Sequence, residues 1–435
     1  MLLSLKTHEE KKFSLLSFIF GIIIGTYWLL RPIKDAVFFT MVGKNYQPDA
    51  RLASIVLVGL VVYIYSKMVD RFPRHKLLYF FSIFYASLTM IFAFFIWHPT
   101  WGISNTVSDP TRWIGWGWYM LVDTFGYLMV SLFWSFISDT TSPETAKKKY
   151  FTLAIGGQTG GLIAPLIATQ VTTWYGTGIT LIVPACALLV LVGCVMYYMK
   201  HFSDQTPEEL QEFFKNKPLE GEPEAGFLEG LNLLFKRPYL FGIFIIVSFY
   251  EIVITILDYH FKVLARNIYI GDALTQYLYN YALWTNVVAV ASLVLGIDVI
   301  GRRLGVGKTL LLLPILVGTA IILFYHHSVL WLAFAIMVSC KALNFALIQP
   351  SKEQLYIPTT HESKYKAKAW IDMFGSRSAK GVGSWINKCK KTMDHEMFMW
   401  ITAVISMGLI GVWIIAAVII GRIHAKAIKE KRLVC

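Results

Sequence analysis

Long apolar runs separated by short polar loops dominate the pattern of hydrophobic and polar positions along the chain. Most of these runs are close to the roughly 20 residues that an α-helix needs to cross a bilayer. The pattern predicts twelve membrane-spanning helices, at residues 13–40, 51–67, 77–97, 113–138, 150–172, 177–200, 238–263, 276–299, 307–325, 329–349, 366–387 and 396–421. The eleventh run is more polar than the others, and an internal repeat supports its inclusion.

The composition agrees with this pattern. Of the 435 residues, 56% are hydrophobic and 15% are charged, which predicts an all-α polytopic membrane protein embedded in a lipid bilayer. A formal net charge of +13 would suggest nucleic-acid binding in a soluble protein. Here the basic residues gather in short loops between apolar runs, so no nucleic-acid partner is expected.

The residue types give no sign of an enzyme. The five cysteines form no C-x-x-C pair, and the sequence contains neither a histidine-rich metal cluster nor a soluble catalytic domain. We therefore expect no metal, no cofactor and no enzymatic activity. His260, His326 and His327 fall at the ends of predicted spans, where an interfacial position is expected.

The positive charges predict the orientation. An even number of spans puts both termini on one side of the membrane, and roughly 27 of the 40 basic residues fall on that side. Because Lys and Arg are enriched in cytoplasmic loops, both termini are predicted to be cytoplasmic.

The chain is predicted to consist of two halves. The hydrophilic stretch 201–237, interpreted as a cytoplasmic linker, separates six spans in residues 1–200 from six spans in residues 238–435. Loops rich in Asp and Arg follow both the second and the eighth span. Related features spaced by roughly 220–230 residues are typical of transporters built from parallel repeats.

Those two loops resemble the Asp/Arg-rich cytoplasmic loop of the major facilitator superfamily, which implies a 6+6 arrangement of twelve helices. The candidate gating residues in them are Asp70, Arg71, Arg74, Asp298 and Arg302. We expect the loops to brace the two halves and to set the equilibrium between inward-open and outward-open states.

Charged residues in the first span are the strongest functional signal. Arg31 lies three positions before Lys34 and four before Asp35, so all three share one face of a helix. A charge at the centre of a membrane costs roughly 2.5–3.5 kcal/mol, and such residues normally face a water-filled cavity. An interfacial anchor, in which the basic side chains reach lipid headgroups, is the alternative.

Charged residues also occur in other predicted spans. They are the acidic Asp123, Glu251, Asp258 and Asp372, and the basic Lys341, Arg377 and Lys380. A cavity with basic groups from the first and eleventh spans suits a multiply charged anion, because Arg and Lys both bind phosphate. Each carboxylate is expected either to pair with a cation or to carry a coupling proton. Tyr27, Trp28, Trp118 and Tyr119 are candidates for stacking a base, with an interfacial position as the alternative.

Two overlapping G-x-x-x-G patterns occur in the fifth span. They are formed by Gly156, Gly157, Gly160 and Gly161. Small residues at this spacing let two helix backbones approach closely, so we expect these glycines to serve packing rather than ligand contact.

A motif after the tenth span is the most specific signature. From its residue types alone, Pro350 is expected to break the helix, and Lys352 and Glu353 are expected at a cytoplasmic mouth or gate. Pro350–Glu353, followed by Tyr356–Pro358, resembles the P-[ST]-K-E-x-x-Y-I-P signature of the ATP/ADP antiporter family of plastids and obligate intracellular bacteria. Leu30–Asp35 resembles a second motif of that family, L-R-x-L-K-D.

The resemblance implies a bacterial inner-membrane transporter that exchanges ATP and ADP, or moves a related nucleotide, by alternating access. The family's functional lysines fall on Lys34 and on Lys352 or Lys380, and two functional glutamates fall on Asp123 and Asp258, each one methylene shorter here. With the basic residues of the first and eleventh spans, the expected substrate-binding set is Arg31, Lys34, Asp123, Asp258, Lys352, Arg377 and Lys380, and Glu353 joins the gating residues.

Two other functions are the alternatives. The first is a proton-coupled carrier of another phosphorylated or organic anion. The second, from a different class, is a non-transporting membrane receptor on a transporter-like scaffold.

Overall fold

The structure is a computed structural model that describes residues 8–141, 143–202, 227–295, 304–360, 368–371, 375–430 and 432–434. Within these ranges the chain is helical and contains no β-strand. The helices of seven or more residues are α1 His8–Met41, α2 Gln47–Arg71, α3 Arg74–Trp97, α4 Trp113–Thr140, α5 Pro143–Thr180, α6 Ile182–Phe202, α7 Phe227–Lys236, α8 Pro238–Ile268, α9 Asp272–Val294, α10 Val306–His326, α11 Leu330–Leu343, α12 Gln349–Leu355, α13 Ser376–Lys388 and α14 His395–Glu430.

Eight of these helices, counted among the described residues, are long and apolar enough to cross a membrane. They are α1, α2, α3, α4, α6, α8, α10 and α14. The other predicted spans fall on α5, α9, α11 and α13, which are shorter or more polar. Several helices extend beyond their predicted spans, because a hydropathy pattern marks the apolar part of a helix and not its polar ends.

The chain folds into two compact units. The first holds Met1–Leu219 and Ile268–Asn286, and the second holds Glu220–Asn267 and Val287–Cys435. The first part of α9 therefore belongs to the unit of the N-terminal helices. The linker at 201–237 stays a prediction, because residues 203–226 lie outside the described ranges.

In the first unit, α1 is the central helix. It packs against α4, α5 and α6, and its buried side chains include Ile19, Ile23 and Ile33. Phe20 stacks on Phe133 of α4, with ring centroids 4.7 Å apart. Because other helices cover this part of α1, Lys34 and Asp35 are buried inside protein.

The contact between α1 and α5 brings two backbones very close together. A Cβ atom added to Gly156 would lie 2.0 Å from the carbonyl oxygen of Ser17, and one added to Gly160 would lie 2.1 Å from that of Gly21. The Ser17 hydroxyl donates a hydrogen bond across the same contact to the carbonyl of Thr152, at 2.6 Å. The prediction that the G-x-x-x-G glycines serve helix packing is confirmed.

Pro32 lies inside α1 without ending it. Proline has no N–H to donate and its ring crowds the preceding turn, which weakens the helix locally. The hydroxyl of Tyr279 in α9 donates to the carbonyl of Leu29 in that turn, at 2.7 Å. Such side-chain donors satisfy backbone groups near a proline and let a membrane helix continue.

In the second unit, α10 packs along α14 and α8 packs against α13. A Cβ atom on Gly421 would lie 2.7 Å from Cα of Gly307, so α10 and α14 also approach at glycines. Asn387 of α13 donates to the carbonyl of Thr255 in α8, at 3.2 Å. This contact holds the polar residues of α8 next to those of α13.

Helical structure continues through Pro350. Helix α11 passes into a π-helical stretch, Asn344–Ile348, and α12 begins at Gln349 with Pro350 in its first turn. The expectation of a break was wrong, because the π-helical stretch leads directly into α12, and proline is tolerated in the first turn of an α-helix.

Candidate functional site

A buried ion pair links α1 to α4 in the first unit. Lys34 Nζ lies 2.6 Å from Asp123 Oδ1, and the two side chains are 8% and 18% exposed. The same ammonium lies 4.3 Å from the ring centroid of Tyr119, a cation–π contact. Gln47 donates to the Tyr119 hydroxyl at 3.2 Å. Lys34 is thus held by a carboxylate and an aromatic face, which excludes the headgroup anchor for this residue.

The neighbours of Lys34 on the same helix differ in burial. Asp35 is buried, whereas Arg31 is half-buried and its guanidinium lies 5.8 Å from the ring centroid of Tyr27 and 5.5 Å from that of Trp28. Both residues are partly exposed. These two aromatic residues remain candidates for stacking a base.

The other two candidates for stacking are fully buried. Trp118 and Tyr119 are both 0% exposed. The expectation that they could stack a base, or lie at an interface, was wrong, because the packing of α4 against α1 and α3 encloses this part of α4.

A second buried cluster joins α8 to α11 in the second unit. Asp258 Oδ2 accepts a hydrogen bond from Lys262 Nζ at 2.5 Å, and Oδ1 accepts one from Lys341 Nζ at 2.9 Å. The side chains of Asp258, Lys262 and Lys341 are 7%, 6% and 15% exposed. We call these three residues the α8–α11 triad.

Lys262 was missed by the sequence reasoning. It falls at the edge of the predicted seventh span, where a lysine usually marks the membrane surface. Its position four residues after Asp258 is the signal that could have found it, since residues at that spacing are neighbours on a helix. The helix α8 continues to Ile268, so Lys262 is an interior residue.

The candidates on α13 lie beside another acidic residue of α8. Lys380 Nζ is 3.6 Å from Glu251 Oε1, and the Ser376 hydroxyl donates to the same oxygen at 3.0 Å. Arg377 lies on the same helix and is half-buried. Glu251 therefore has a direct partner on α13, which the sequence did not reveal.

The signature residues after the tenth span are ordered. Lys352 lies in α12 and is only 9% exposed, whereas the Glu353 side chain is 52% exposed. Glu353 pairs with Lys368, whose ammonium lies 5.5 Å from the ring centroid of Tyr356. The buried lysine and the exposed glutamate point to different environments, so the two residues are not equivalent parts of one solvated loop.

Only some of the gating candidates can be described. Arg71 ends α2 and is exposed, and Arg74 begins α3 and is half-buried. The side chain of Asp70 and the whole of Asp298 and Arg302 lie outside the described residues.

His260 is buried rather than interfacial. Its Nε2 atom lies 3.0 Å from the hydroxyl of Thr402 in α14. The interfacial expectation was wrong for His260, because α8 extends well past the end of the predicted span. His326 and His327 are exposed at the end of α10, and an interfacial position stays the prediction for both. In the part of the chain that the structure describes, no three His, Cys, Asp or Glu residues are grouped to hold a metal ion.

Comparison of sequences identifies relatives of the chain. The profile of the TLC ATP/ADP transporter family matches residues 1–339 and 329–424. The chain is 24% identical to ADP,ATP carrier protein 1 of Chlamydia muridarum, over 98% of this chain and 91% of the relative. It is 22% identical to ADP,ATP carrier protein 5 of Rickettsia felis, over 86% of this chain and 85% of the relative.

Solved transporters resemble the chain in structure. The nucleoside transporter NupG has a TM-score of 0.60 at 12% identity, over 94% of this chain and 99% of that one. A bacterial homologue of the iron transporter ferroportin has a TM-score of 0.64 at 11% identity, over 95% and 100%. The predicted twelve-helix, major facilitator-like fold is confirmed by this likeness, which at such identity concerns the fold alone.

Proposed function

The chain belongs to the TLC ATP/ADP transporter family, and we propose that it is a secondary transporter that exchanges ATP for ADP across a membrane by alternating access. The names of the curated relatives, ADP,ATP carrier proteins, support an adenine nucleotide as the substrate. Transport by such a protein involves no covalent chemistry, so no catalytic residue is assigned.

The observation that carries the proposal is the buried pair of Lys34 and Asp123. A lysine inside the membrane is costly unless a negative group compensates it. Asp123 does so in this structure, and a phosphate group offers the same charge with more acceptor oxygens. Nucleotide binding is then an exchange of partners around Lys34, in which a phosphate oxygen takes the place that Asp123 Oδ1 holds in this structure.

Further residues complete the proposed site. We propose that the phosphates and their counter-charges are handled by Arg31, Lys34, Asp123, Asp258, Lys352, Arg377 and Lys380. The partly exposed Tyr27 and Trp28 beside Arg31 are the proposed platform for the adenine base. The proposed gating residues are Asp70, Arg71, Arg74, Asp298, Arg302 and Glu353.

We propose a bacterial inner membrane as the location, with both termini in the cytoplasm. The excess of Lys and Arg in the loops on the terminal side supports this orientation. The two halves are proposed to be residues 1–200 and 238–435, with the stretch 201–237 as the linker.

Uptake of radiolabelled ATP by intact bacteria that express the chain tests the proposal. Label should accumulate, and unlabelled ADP added outside should then release it rapidly. The variant Lys34→Gln, shown by immunoblot to be inserted at the wild-type level, should take up no label above the level of cells without the protein.

Two other results would count against nucleotide exchange. Uptake that needs a proton gradient and is not reversed by external ADP would favour the proton-coupled alternative, with Asp123 or Asp258 as the proton carrier. An absence of uptake in cells that contain the inserted wild-type protein would contradict nucleotide transport.

A further inference from the structure

We propose that Tyr119 is a positioning residue for the nucleotide site, whose ring holds the ammonium group of Lys34 while a phosphate group replaces Asp123 beside it. Gln47 fixes the orientation of that ring. The inference rests on the proposed nucleotide exchange, and it adds two residues outside the substrate-binding set derived from the sequence. Neither residue contacts the substrate, and both act through Lys34.

The ammonium group of Lys34 has partners of two kinds. Asp123 Oδ1 lies 2.6 Å from Lys34 Nζ, and the ring centroid of Tyr119 lies 4.3 Å from the same atom. A phosphate oxygen competes with Asp123 for the N–H donors of the lysine, because both are anionic acceptors. The face of an aromatic ring instead attracts the cation through its quadrupole, most strongly where water is excluded. The contact with Tyr119 can therefore persist while the anion is exchanged.

Exchange of the anion is the step at which Lys34 needs such a contact. A lysine ends in a point charge on a flexible four-carbon stem. Once Asp123 no longer holds the ammonium group, other rotamers of that stem become accessible. A ring that stays in contact keeps the ammonium group where the phosphate binds, which lowers the entropic cost of binding. Loss of the ring should therefore weaken nucleotide binding more than it slows the transport step.

Tyr119 can serve in this way because its own ring is fixed. The residue is 0% exposed. Phe38, one turn after Lys34 on α1, contacts the ring in an edge-to-face arrangement, with centroids 5.1 Å apart. Gln47 Nε2 donates a hydrogen bond to the Tyr119 hydroxyl at 3.2 Å. The three residues come from α1, α2 and α4, so the packing of these helices sets the position of the ring.

Gln47 links the site to the start of α2. It is the first residue of that helix and is only 2% exposed. A buried amide group costs free energy unless it is hydrogen-bonded, and a leucine would fill a similar volume without that cost. The bond to Tyr119 explains why a glutamine occupies this position. Loss of the bond should let the Tyr119 ring tilt relative to Lys34.

Uptake of labelled ATP by the full-length protein in proteoliposomes tests the inference. Tyr119→Leu should raise the KM for ATP by about tenfold, while kcat falls by less than about threefold, because the cation–π contact is lost. Tyr119→Phe keeps the ring and should stay within about threefold of the wild-type KM. Gln47→Leu should raise the KM in the wild-type background and should add nothing in the Tyr119→Phe background, where the hydroxyl it binds is gone.

A fluorine series separates the electrostatic role from packing. Tyr119→Phe is made with zero, one, two and three fluorine atoms on the ring, by suppression of a stop codon. Fluorine withdraws electron density from the face of the ring and changes its shape little, so the attraction for a cation weakens stepwise. The logarithm of the KM for ATP should rise in proportion to the number of fluorine atoms. A ring that only fills space would give no such trend.

The matched control is Tyr85→Leu in α3. Tyr85 is 3% exposed and contacts the ring of Phe125, with centroids 5.2 Å apart. This variant loses a buried aromatic ring of the same unit without touching Lys34. It should lower the midpoint of thermal unfolding and leave the KM for ATP unchanged.

The failure of this inference differs from a failure of the proposed function. If the wild type exchanges ATP and the fluorine series shows no trend in KM, Tyr119 only packs against Lys34 and the inference is wrong. An unchanged KM in a folded Tyr119→Leu variant would also contradict it, and the fluorine series decides the question if that variant does not fold. A wild type that transports no nucleotide would contradict the proposed function, and the inference with it.

Discussion

Lys34 and Asp123 lie 89 positions apart in the chain, yet their charged atoms are 2.6 Å apart in the first unit. Neither residue could be stable alone at this depth in α1 and α4, since an isolated buried charge costs several kcal/mol. The pair therefore links two helices. It also holds a lysine whose carboxylate partner a ligand phosphate can replace. The two roles can be separated by experiment, because stability depends on charge balance and transport depends on the lysine.

The variant Lys34→Gln should abolish nucleotide transport and lower the stability of the folded protein by about 3–5 kcal/mol, since it leaves a buried carboxylate without its partner. The double variant Lys34→Gln/Asp123→Asn should recover much of that stability but none of the transport. Thermal unfolding in detergent, followed with a thiol-reactive dye, measures the first effect, and ATP uptake measures the second. Recovery of transport in the double variant would mean that the pair has only a structural role.

The variant Gly156→Ala should destabilise the first unit by about 1–3 kcal/mol, because an overpacked contact forces the neighbouring backbone to move. Its new Cβ atom would lie 2.0 Å from the carbonyl oxygen of Ser17. Gly193→Ala in α6 is the matched control, since nothing lies within 4 Å of the new Cβ atom there. Equal midpoints of thermal unfolding for the two variants would show that α1 and α5 do not pack as described.

The variant Arg112→Lys should loosen the loop between α3 and α4. The Arg112 guanidinium donates to four carbonyl oxygens of that loop, those of Trp101, Gly102, Asn105 and Val107, at 2.6–3.0 Å. A lysine has one charged nitrogen and cannot reproduce this fork. Hydrogen exchange of residues 98–112 should become at least about tenfold faster if two bonds of roughly 1 kcal/mol each are lost. Unchanged exchange there, with α1 as the internal reference, would refute the role.

The same loop should respond to acid. The amide and the hydroxyl of Thr111 donate to Asp109 Oδ1 at 2.8 and 2.7 Å, and these bonds hold the pKa of the Asp109 carboxyl below its ordinary value. A lowered pKa contributes stability above the ordinary value, and this contribution is lost as the pH falls through the lowered one. Protection of the Thr111 amide, corrected for its intrinsic exchange rate, should therefore fall in that acidic window. Asp109→Asn, which cannot titrate, should show no such fall.

Features imposed by the membrane could be predicted from the sequence, and features imposed by tertiary packing could not. The bilayer requires long apolar helices, so the pattern of twelve spans could be predicted. Close contacts between helices require small residues, so the packing role of Gly156 and Gly160 could be predicted too. The partner of Lys34 was not, because nothing local identifies a residue 89 positions away. His260 was assigned to a membrane surface and Lys262 was overlooked, because the predicted span ends at residue 263, whereas α8 continues to Ile268.

The candidate site was predictable to the same extent. Lys34, Asp123 and Asp258 could each be identified as candidates, because a charged side chain in an apolar span is costly and usually has a function. Their grouping into one ion pair and one triad depends on how four helices pack, which the pattern of a single helix does not contain.

Exchange in proteoliposomes is the most direct test of the central claim, that the chain exchanges nucleotides. Vesicles that contain the purified protein are loaded with ADP or left empty, and uptake of labelled ATP is measured with and without a protonophore. We predict rapid uptake into loaded vesicles, little uptake into empty ones, and no effect of the protonophore. Uptake into empty vesicles that follows an imposed pH gradient, and is abolished by the protonophore, would contradict the account.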